Sequence, residues 1–206
     1  MAETRDQERV AGAGPKKIAL FDMDGTLCDY TGRMLEDLER VRSPEEERIG
    51  EIPHPAPPWL ERRMEVIRSV PGWWRGLPRL EDGFAIFDMV VEIGFRPHIA
   101  TKGPVRPSLA WDEKVVWCRE NIDAAGHSRS PIDITVTLDK SLLYGRVLVE
   151  DWVPYVKKWL AWRKRGLVVL LDRAYNRKFE HPQVVRYRAG EEGVVRERLV
   201  GAYERE

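Results

Sequence analysis

The segment Asp22-Met23-Asp24-Gly25-Thr26 has the residue types and spacing that a metal-bound nucleophile with a neighbouring acid/base would use, and it follows a short apolar run at residues 16–21. Two carboxylates two residues apart at the end of a strand project in the same direction. Their repulsion must be relieved by a cation or a shared proton. The pair therefore predicts a metal-binding nucleophile beside an acid/base, or else a simple turn, since Asp and Gly are turn residues.

A calcium loop is a further alternative, because an Asp-x-Asp-Gly segment resembles the start of an EF-hand. An EF-hand also needs a third ligand before its glycine and a glutamate at its twelfth position. In this chain that position is Arg33. We therefore favour a catalytic role for Asp22 and Asp24.

Three more polar segments lie at the ends of predicted strands. Thr101-Lys102-Gly103-Pro104 offers a hydroxyl and backbone N–H groups to a phosphate, Lys140 offers a positive charge, and Glu150-Asp151 offers the oxygens that a hard cation prefers. The alternatives are a turn, a solvated lysine and a helix N-terminus, respectively. Because ligands bind beyond the carboxyl ends of parallel strands, the convergence of all four segments predicts one site.

The elements that must position these residues alternate between short apolar strands and amphipathic helices. Strands are predicted at residues 16–21, 96–100, 132–138, 146–149 and 167–171, and helices at 31–42, 59–70, 81–93, 107–121, 153–165 and 191–203. This alternation predicts an α/β fold with a doubly wound parallel sheet.

The predicted domain organisation has three parts. Residues 1–15 are polar and predicted to be a disordered tail. Residues 31–70 contain two helices around a segment with five prolines at 43–58, which predicts a small helical cap inserted after the first strand. Residues 16–30 and 71–206 then form the α/β core.

Composition limits the functional classes. The 206 residues carry 34 Lys plus Arg and 34 Asp plus Glu, so the formal net charge is zero, which argues against a nucleic-acid polymer or an anionic membrane as partner. No apolar run is long enough to span a bilayer, and the polar N-terminus does not resemble a signal peptide. The two cysteines lack a CxxC spacing, so we expect reduced thiols in a cytoplasmic protein.

The ordered set Asp22-Met23-Asp24-Gly25-Thr26, Thr101, Lys140 and Glu150-Asp151 resembles the four motifs of the haloacid dehalogenase-like (HAD) phosphatase superfamily. The resemblance implies a Rossmann-like core and a phosphatase that uses Mg²⁺. It implies that Asp22 forms an aspartyl-phosphate, that Asp24 is the acid/base, and that Thr101, Lys102 and Lys140 bind phosphate. The implied metal ligands are Asp22, Asp24 through its carbonyl, and either Glu150 or Asp151.

Within that superfamily the chain is similar to the 5′(3′)-deoxyribonucleotidases. The similarity lies in Asp29-Tyr30, Pro71-Gly72-Trp73-Trp74, Thr101-Lys102-Gly103-Pro104 with Glu113-Lys114, and Asn176-Arg177. It implies a nucleoside monophosphate substrate and a homodimer. Tyr30, Trp73 and Trp74 flank the proposed cap, and their rings could form a substrate pocket by stacking on a nucleobase. The alternative for Trp73 and Trp74 is core packing between cap and main domain, so that one of the two could line the pocket while the other packs. The family usually has Ser where this chain has Lys102 and Asp where it has Glu150.

Other functions stay open at this point. The chain could be a phosphatase of another small metabolite, such as a sugar phosphate, or a non-catalytic nucleotide or protein binder on the same fold. The intact Asp22 and Asp24 argue against a degenerate binder. A nucleic-acid end phosphatase is disfavoured by the zero net charge.

Overall fold

The computed structural model describes residues 17–104, 109–127 and 131–205. Its strands are β1 (Ile18–Phe21), β2 (Arg96–Lys102), β3 (Asp133–Thr137), β4 (Val147–Glu150), β5 (Leu167–Leu171) and β6 (Val184–Tyr187). Its α-helices are α1 (Tyr30–Arg40), α2 (Pro58–Arg68), α3 (Glu81–Ile93), α4 (Ala110–Cys118), α5 (Val153–Trp162) and α6 (Glu192–Glu204).

Within these residues the strands form one six-stranded parallel sheet in the order β3-β2-β1-β4-β5-β6. The predicted fold class is confirmed. β1 pairs with β2 on one side and with β4 on the other, so the strand order reverses at β1. In open α/β sheets, ligands bind at such a reversal, beyond the carboxyl ends of the strands. Asp22 follows β1 at that point.

Alternate residues of the strands face two separate apolar layers. Phe21 and its neighbours on the same face pack in the larger cluster with Phe84 of α3 and Val195 of α6. Leu20 packs on the other face with Val156 and Trp159 of α5. Because β1, β4 and β5 are buried on both faces, β1 and β5 are apolar throughout, and β4 is apolar up to its last residue, Glu150.

The two helices of the predicted cap, α1 and α2, lie between β1 and α3 in the chain. Met34 and Leu38 of α1, and Leu60 and Met64 of α2, belong to the same apolar cluster as the sheet residue Phe21. The cap boundaries at 31 and 70 stay a prediction, and the predicted tail at 1–15 lies outside the described residues. Among the helices of the described ranges, none has the length and apolar character needed to cross a bilayer.

Three elements differ from their predicted form. β6 was not predicted, because Val184–Tyr187 is short and includes a charged residue, Arg186. β2 extends to Lys102, so Thr101 is part of the strand rather than of the turn after it. The helix predicted at 107–121 is described from Ala110 and continues beyond Cys118 as a π-helical turn at Arg119–Asp123; residues 105–108 are outside the described ranges.

Helix α3 begins directly against the loop that follows β1. The backbone N–H of Leu80 donates to the Leu27 carbonyl at 2.9 Å. A Cβ added at Gly83 would lie 1.9 Å from the Thr26 carbonyl oxygen. A residue without a side chain is therefore needed at Gly83, and this close approach helps to hold the Asp22–Thr26 loop in place.

We predict that Gly83→Ala lowers the free energy of unfolding by about 1–3 kcal/mol, because the added methyl group overpacks the contact with Thr26. Gly201→Ala in α6 is the matched control, since no atom lies within 4 Å of its added Cβ. That change should stabilise the helix by roughly 0.5–1 kcal/mol. Urea unfolding of both variants measures the difference, and equal stabilities would contradict the packing argument.

Candidate active site

The loop after β1 is a compact turn that fixes the two predicted catalytic carboxylates. The Asp22 N–H donates to the Val149 carbonyl at 3.0 Å, and the Met23 carbonyl accepts from the N–H groups of Leu27 and Cys28 at 2.8 and 2.9 Å. Gly25 has a φ of +78°, which side chains rarely tolerate. A Cβ there would also lie 2.3 Å from Asp151 Oδ2, so glycine brings the β1 and β4 loops together.

Lys140 forms a buried bridge between the loop that follows β1 and the last residue of β4. Its Nζ lies 2.7 Å from Asp22 Oδ1 and 2.7 Å from Glu150 Oε2, and its side chain is 3% exposed. Burial opposes the charge of the ammonium, but the Asp22 and Glu150 carboxylates outweigh burial and raise the pKa of Lys140 above its ordinary value. Lys140 therefore stays protonated and neutralises part of the acidic cluster.

The acids of the Glu150-Asp151 pair have different surroundings. Glu150 is fully buried; Oε2 accepts from Lys140, while Oε1 accepts from the N–H groups of Asp151 and Trp152 at 3.2 and 3.1 Å. Asp151 lines a cavity and accepts from the Thr26 hydroxyl at 3.2 Å and from the Tyr175 hydroxyl. Burial, with the Asp22 charge, raises the pKa of Asp151 to about 6.

Asp24 has an ammonium partner of its own, Lys114 of α4. Lys114 Nζ lies 2.5 Å from Asp24 Oδ2, 3.0 Å from Thr101 Oγ1 and 2.9 Å from the Lys102 carbonyl oxygen. Burial raises the pKa of Asp24, and the Asp22 charge adds to this, whereas Lys114 lowers it. Asp24 is thus the carboxylate with an environment suited to holding and releasing a proton.

Asp22, Glu150 and Asp151 each present a carboxylate oxygen within 4.8 Å of the others. Together with Asp24 they provide four carboxylates against two ammonium groups, Lys114 and Lys140. The formal excess is two negative charges, and hard oxygen donors are the ligands that Mg²⁺ and Ca²⁺ prefer. The donor set therefore fits a divalent cation at Asp22 and Asp151.

These carboxylates open onto a cavity of about 330 Å³ between the strand ends and the cap helices. On the cap side, Tyr30 lines it, and the Arg68 guanidinium donates to the Tyr30 hydroxyl at 3.2 Å. The other aromatic groups in the lining are His54, Trp152, Tyr155 and Tyr175. His54 and Trp152 meet edge to face, with ring centroids 4.6 Å apart. Lys102 also lines the cavity, as its predicted contact with a phosphate requires.

Trp73 and Trp74 both pack in the core, which the sequence analysis kept open as the alternative to a place in the substrate pocket. They are 4% and 7% exposed, and neither lines the cavity. Both pack against Tyr30, at centroid distances of 5.4 and 5.5 Å, and Trp73 Nε1 donates to Asp37. Adjacent indoles of this size are held by apolar burial behind Tyr30, so Tyr30 alone of the three faces the cavity.

Thr101 also differs from its expected position. It is fully buried, it is outside the cavity lining, and its hydroxyl is a partner of Lys114. The sequence analysis missed Lys114 itself as a site residue. Lys114 shares a helical face with the buried residues Ala110, Trp117 and Cys118, and a lysine within an apolar helical stripe is the signal that would have identified it.

Comparison with protein families matches residues 16–199 to the family described as "5′ nucleotidase, deoxy (Pyrimidine), cytosolic type C protein". Comparison with curated proteins gives no match.

Solved structures with the same fold include a hydrolase described as haloacid dehalogenase-like and another described as a HAD family hydrolase. The one from Xanthomonas campestris has a TM-score of 0.51 at 14% identity, covering 93% of this chain and 100% of that chain. The one from Deinococcus radiodurans, solved with bound phosphate and sodium, has a TM-score of 0.52 at 15% identity, covering 93% of this chain and 98% of that chain.

We predict that Lys114→Met lowers kcat/KM by about a hundredfold or more and destabilises the fold by about 3 kcal/mol, because it leaves Asp24 without its buried ammonium partner. Lys158→Met is the matched control, since Lys158 pairs with Asp139 at the surface and an exposed pair contributes about 0–1 kcal/mol. Steady-state kinetics and urea unfolding measure both effects. Equal behaviour of the two variants would remove Lys114 from the site.

Proposed function

Since this chain belongs to the family described as "5′ nucleotidase, deoxy (Pyrimidine), cytosolic type C protein", we propose that it hydrolyses (deoxy)nucleoside monophosphates with Mg²⁺ as cofactor. The observation that carries the proposal is the pair Asp22 and Asp24, each with its own lysine, at the edge of a cavity lined by aromatic side chains. A small phosphate ester of this class fits the cavity, and a cytoplasmic location agrees with the family description.

In the first step an Asp22 carboxylate oxygen forms a bond to phosphorus, and the ester P–O bond breaks. Asp24 gives its proton to the departing alkoxide oxygen, as its raised pKa favours. In the second step Asp24 takes a proton from water as the water oxygen bonds to phosphorus and the Asp22–phosphorus bond breaks. Inorganic phosphate leaves, and both aspartates return to their starting state.

Lys140 holds the Asp22 carboxylate at 2.7 Å and places positive charge beside it throughout. Lys114 does the same for Asp24. A bound Mg²⁺ would neutralise phosphate charge and orient the ester, held by Asp22, the Asp24 carbonyl and Asp151. Lys102 and Lys140 contribute positive charge toward the phosphate. Thr101 supports the phosphate site through Lys114, its partner at 3.0 Å.

The aromatic lining favours a nucleotide over a sugar phosphate. Tyr30 stands on the cap side, and His54, Trp152 and Tyr175 form a contiguous cluster with centroid distances of 4.6 to 6.3 Å. A planar base can stack on such faces, at about 1–3 kcal/mol per base. A sugar phosphatase would need polar partners for hydroxyl groups instead. The homodimer that the family resemblance implies stays a prediction.

The test is phosphate release from deoxynucleoside 5′-monophosphates and from sugar phosphates, with and without Mg²⁺. We expect a nucleotide preference, no release in excess chelator, and no release by Asp22→Asn, whose amide lacks the attacking anionic oxygen. Tyr30→Ala should raise KM for nucleotides selectively, by about 5- to 150-fold if the base stacks on it. Trp162→Ala, at an exposed indole in α5, is the control. Equal rates on both substrate classes would favour a general metabolite phosphatase.

We predict that Asp151→Asn shifts the Mg²⁺ concentration for half-maximal activity upward by at least about tenfold, whereas Glu150→Gln leaves it within about threefold and lowers kcat. The reason is that both Glu150 oxygens are already used by Lys140 and by backbone N–H groups. Metal titration of each variant measures the difference. A larger shift for Glu150→Gln would assign the ligand to Glu150 instead.

A further inference from the structure

The ring of Tyr30, which lines the cavity beside Asp22, is held from two directions. Trp74 lies against one of its faces, with the ring planes tilted by 30° and the centroids 5.5 Å apart, and Trp73 meets it edge to face at 5.4 Å. These two indoles fix the rotation of the ring about its own axis. They leave the other face of the ring as the surface that can stack on a substrate.

The direction of that axis depends on the hydroxyl at the far end of the ring. Burial raises the pKa of the Tyr30 hydroxyl above its ordinary value, so the group stays a neutral phenol. A phenol in such surroundings needs a hydrogen-bond partner, and Arg68 supplies it, since its Nη1 donates to the hydroxyl at 3.2 Å. Tyr30 is the first residue of α1 and Arg68 the last of α2, so this bond connects the two cap helices.

Arg68 is oriented in turn by Glu61, about two turns earlier on α2. Arg68 Nη2 lies 2.5 Å from Glu61 Oε1, while Nη1 is used for Tyr30. The two amino groups of one planar guanidinium therefore reach two partners at a fixed angle, which an ammonium on a flexible stem would not reproduce. Glu61, Arg68 and the buried Met64 between them all line the cavity. They form the face that α2 turns toward the substrate.

Arg63, on the same helix, faces a different surface. It pairs with Glu46 at 2.7 Å and lies over the Trp59 ring, 5.5 Å from the ring centroid. Among the described residues, Arg63 lines a separate surface groove and is not part of the lining of the active-site cavity. Its side chain is 28% exposed, against 25% for Arg68. Arg63 therefore matches Arg68 in residue type, helix, ion pairing and burial, and differs in the surface that it faces.

We propose that Arg68, oriented by Glu61, is a positioning residue that holds the Tyr30 ring for stacking on the base of the substrate, and so sets the preference for nucleotides over phosphate esters without a base. This inference rests on the proposed function, since it requires that a base meets Tyr30. Arg68 acts through Tyr30 and does not touch the reacting phosphate. Without Arg68 the phenol end of the ring is free to change direction. The apparent affinity for a base then falls with the fraction of molecules in which the stacking face is in place.

The test compares KM and kcat for a deoxynucleoside 5′-monophosphate and for deoxyribose 5-phosphate, which has no base. Arg68→Met should raise KM for the nucleotide by about 3- to 10-fold, the effect of one net hydrogen bond, and should change kcat and KM for deoxyribose 5-phosphate by less than about twofold. Tyr30→Phe, which keeps the ring and removes the hydroxyl, should do the same. Arg63→Met is the matched control and should leave both KM values unchanged. An unchanged nucleotide KM in Arg68→Met, or an equal rise on both substrates, would overturn the inference.

A double variant identifies the route by which Arg68 acts. If the route is the Tyr30 hydroxyl, Arg68→Met combined with Tyr30→Phe should raise the nucleotide KM no further than either change alone. A rise equal to the product of the two single effects would show that Arg68 contacts the substrate independently of Tyr30, and it would overturn the positioning role.

A measurement without substrate separates this inference from the proposed function. In protein labelled with ¹³C-tyrosine, the NMR signal of Tyr30 Cζ is assigned by its loss in Tyr30→Phe. That signal should move in Arg68→Met and stay in place in Arg63→Met, and a fixed signal in Arg68→Met would overturn the inference alone. Wild-type protein that hydrolyses the nucleotide and deoxyribose 5-phosphate equally would instead overturn the proposed function, and the stacking role with it, whatever the NMR result.

Discussion

The buried ammonium of Lys140 between Asp22 and Glu150 is the interaction on which the site depends. Carboxylates taken out of water at this density would not remain ionised without compensation. The compensation requires that β1 and β4 be neighbours in the sheet, and that the 3₁₀ turn Lys140–Leu142 project its first side chain between their ends. The placement of Lys140 between Asp22 and Glu150 therefore requires the sheet order, the 3₁₀ turn and the apolar layers beneath them.

A consequence of this arrangement is that the two acids at the end of β4, Glu150 and Asp151, have different roles. Both carboxylate oxygens of Glu150 accept hydrogen bonds, from Lys140 and from two backbone N–H groups, and so Glu150 fixes the loop. Asp151 is left to face the cavity, with Thr26 and Tyr175 as hydrogen-bond donors. Asn176 donates to the carbonyls of both Asp151 and Leu171 at 2.8 Å, which holds the ends of β4 and β5 together behind the site.

The sequence predicted what depends on local pattern. The ends of apolar strands can be located from the hydrophobic pattern alone, so the sequence predicts that Asp22, Lys140 and Asp151 lie together at the carboxyl ends of the strands. Which side chains pair across that edge depends on tertiary packing. Nothing local shows that Lys114 reaches Asp24 from a helix 90 positions later, or that Trp73 and Trp74 pack behind Tyr30 instead of beside the substrate. β6 was not predicted because a strand of four residues at the lateral edge of the sheet is too short to show a clear hydrophobic pattern.

The residues proposed for the reaction and those proposed to contact the rest of the substrate come from different parts of the fold. The groups proposed to act on phosphorus are fixed by the ends of β1 and β4 and by Lys114. The groups that would contact the rest of the substrate include Tyr30, which Arg68 holds on the cap side, and His54, which meets Trp152 of the core edge to face. Because the core groups are buried and paired, a change among them disturbs charge balance and folding together. A change at Tyr30 or His54 would alter the shape of the cavity while the lysine–carboxylate pairs stay intact. We therefore expect changes at these two positions to alter substrate preference without loss of the proposed reaction.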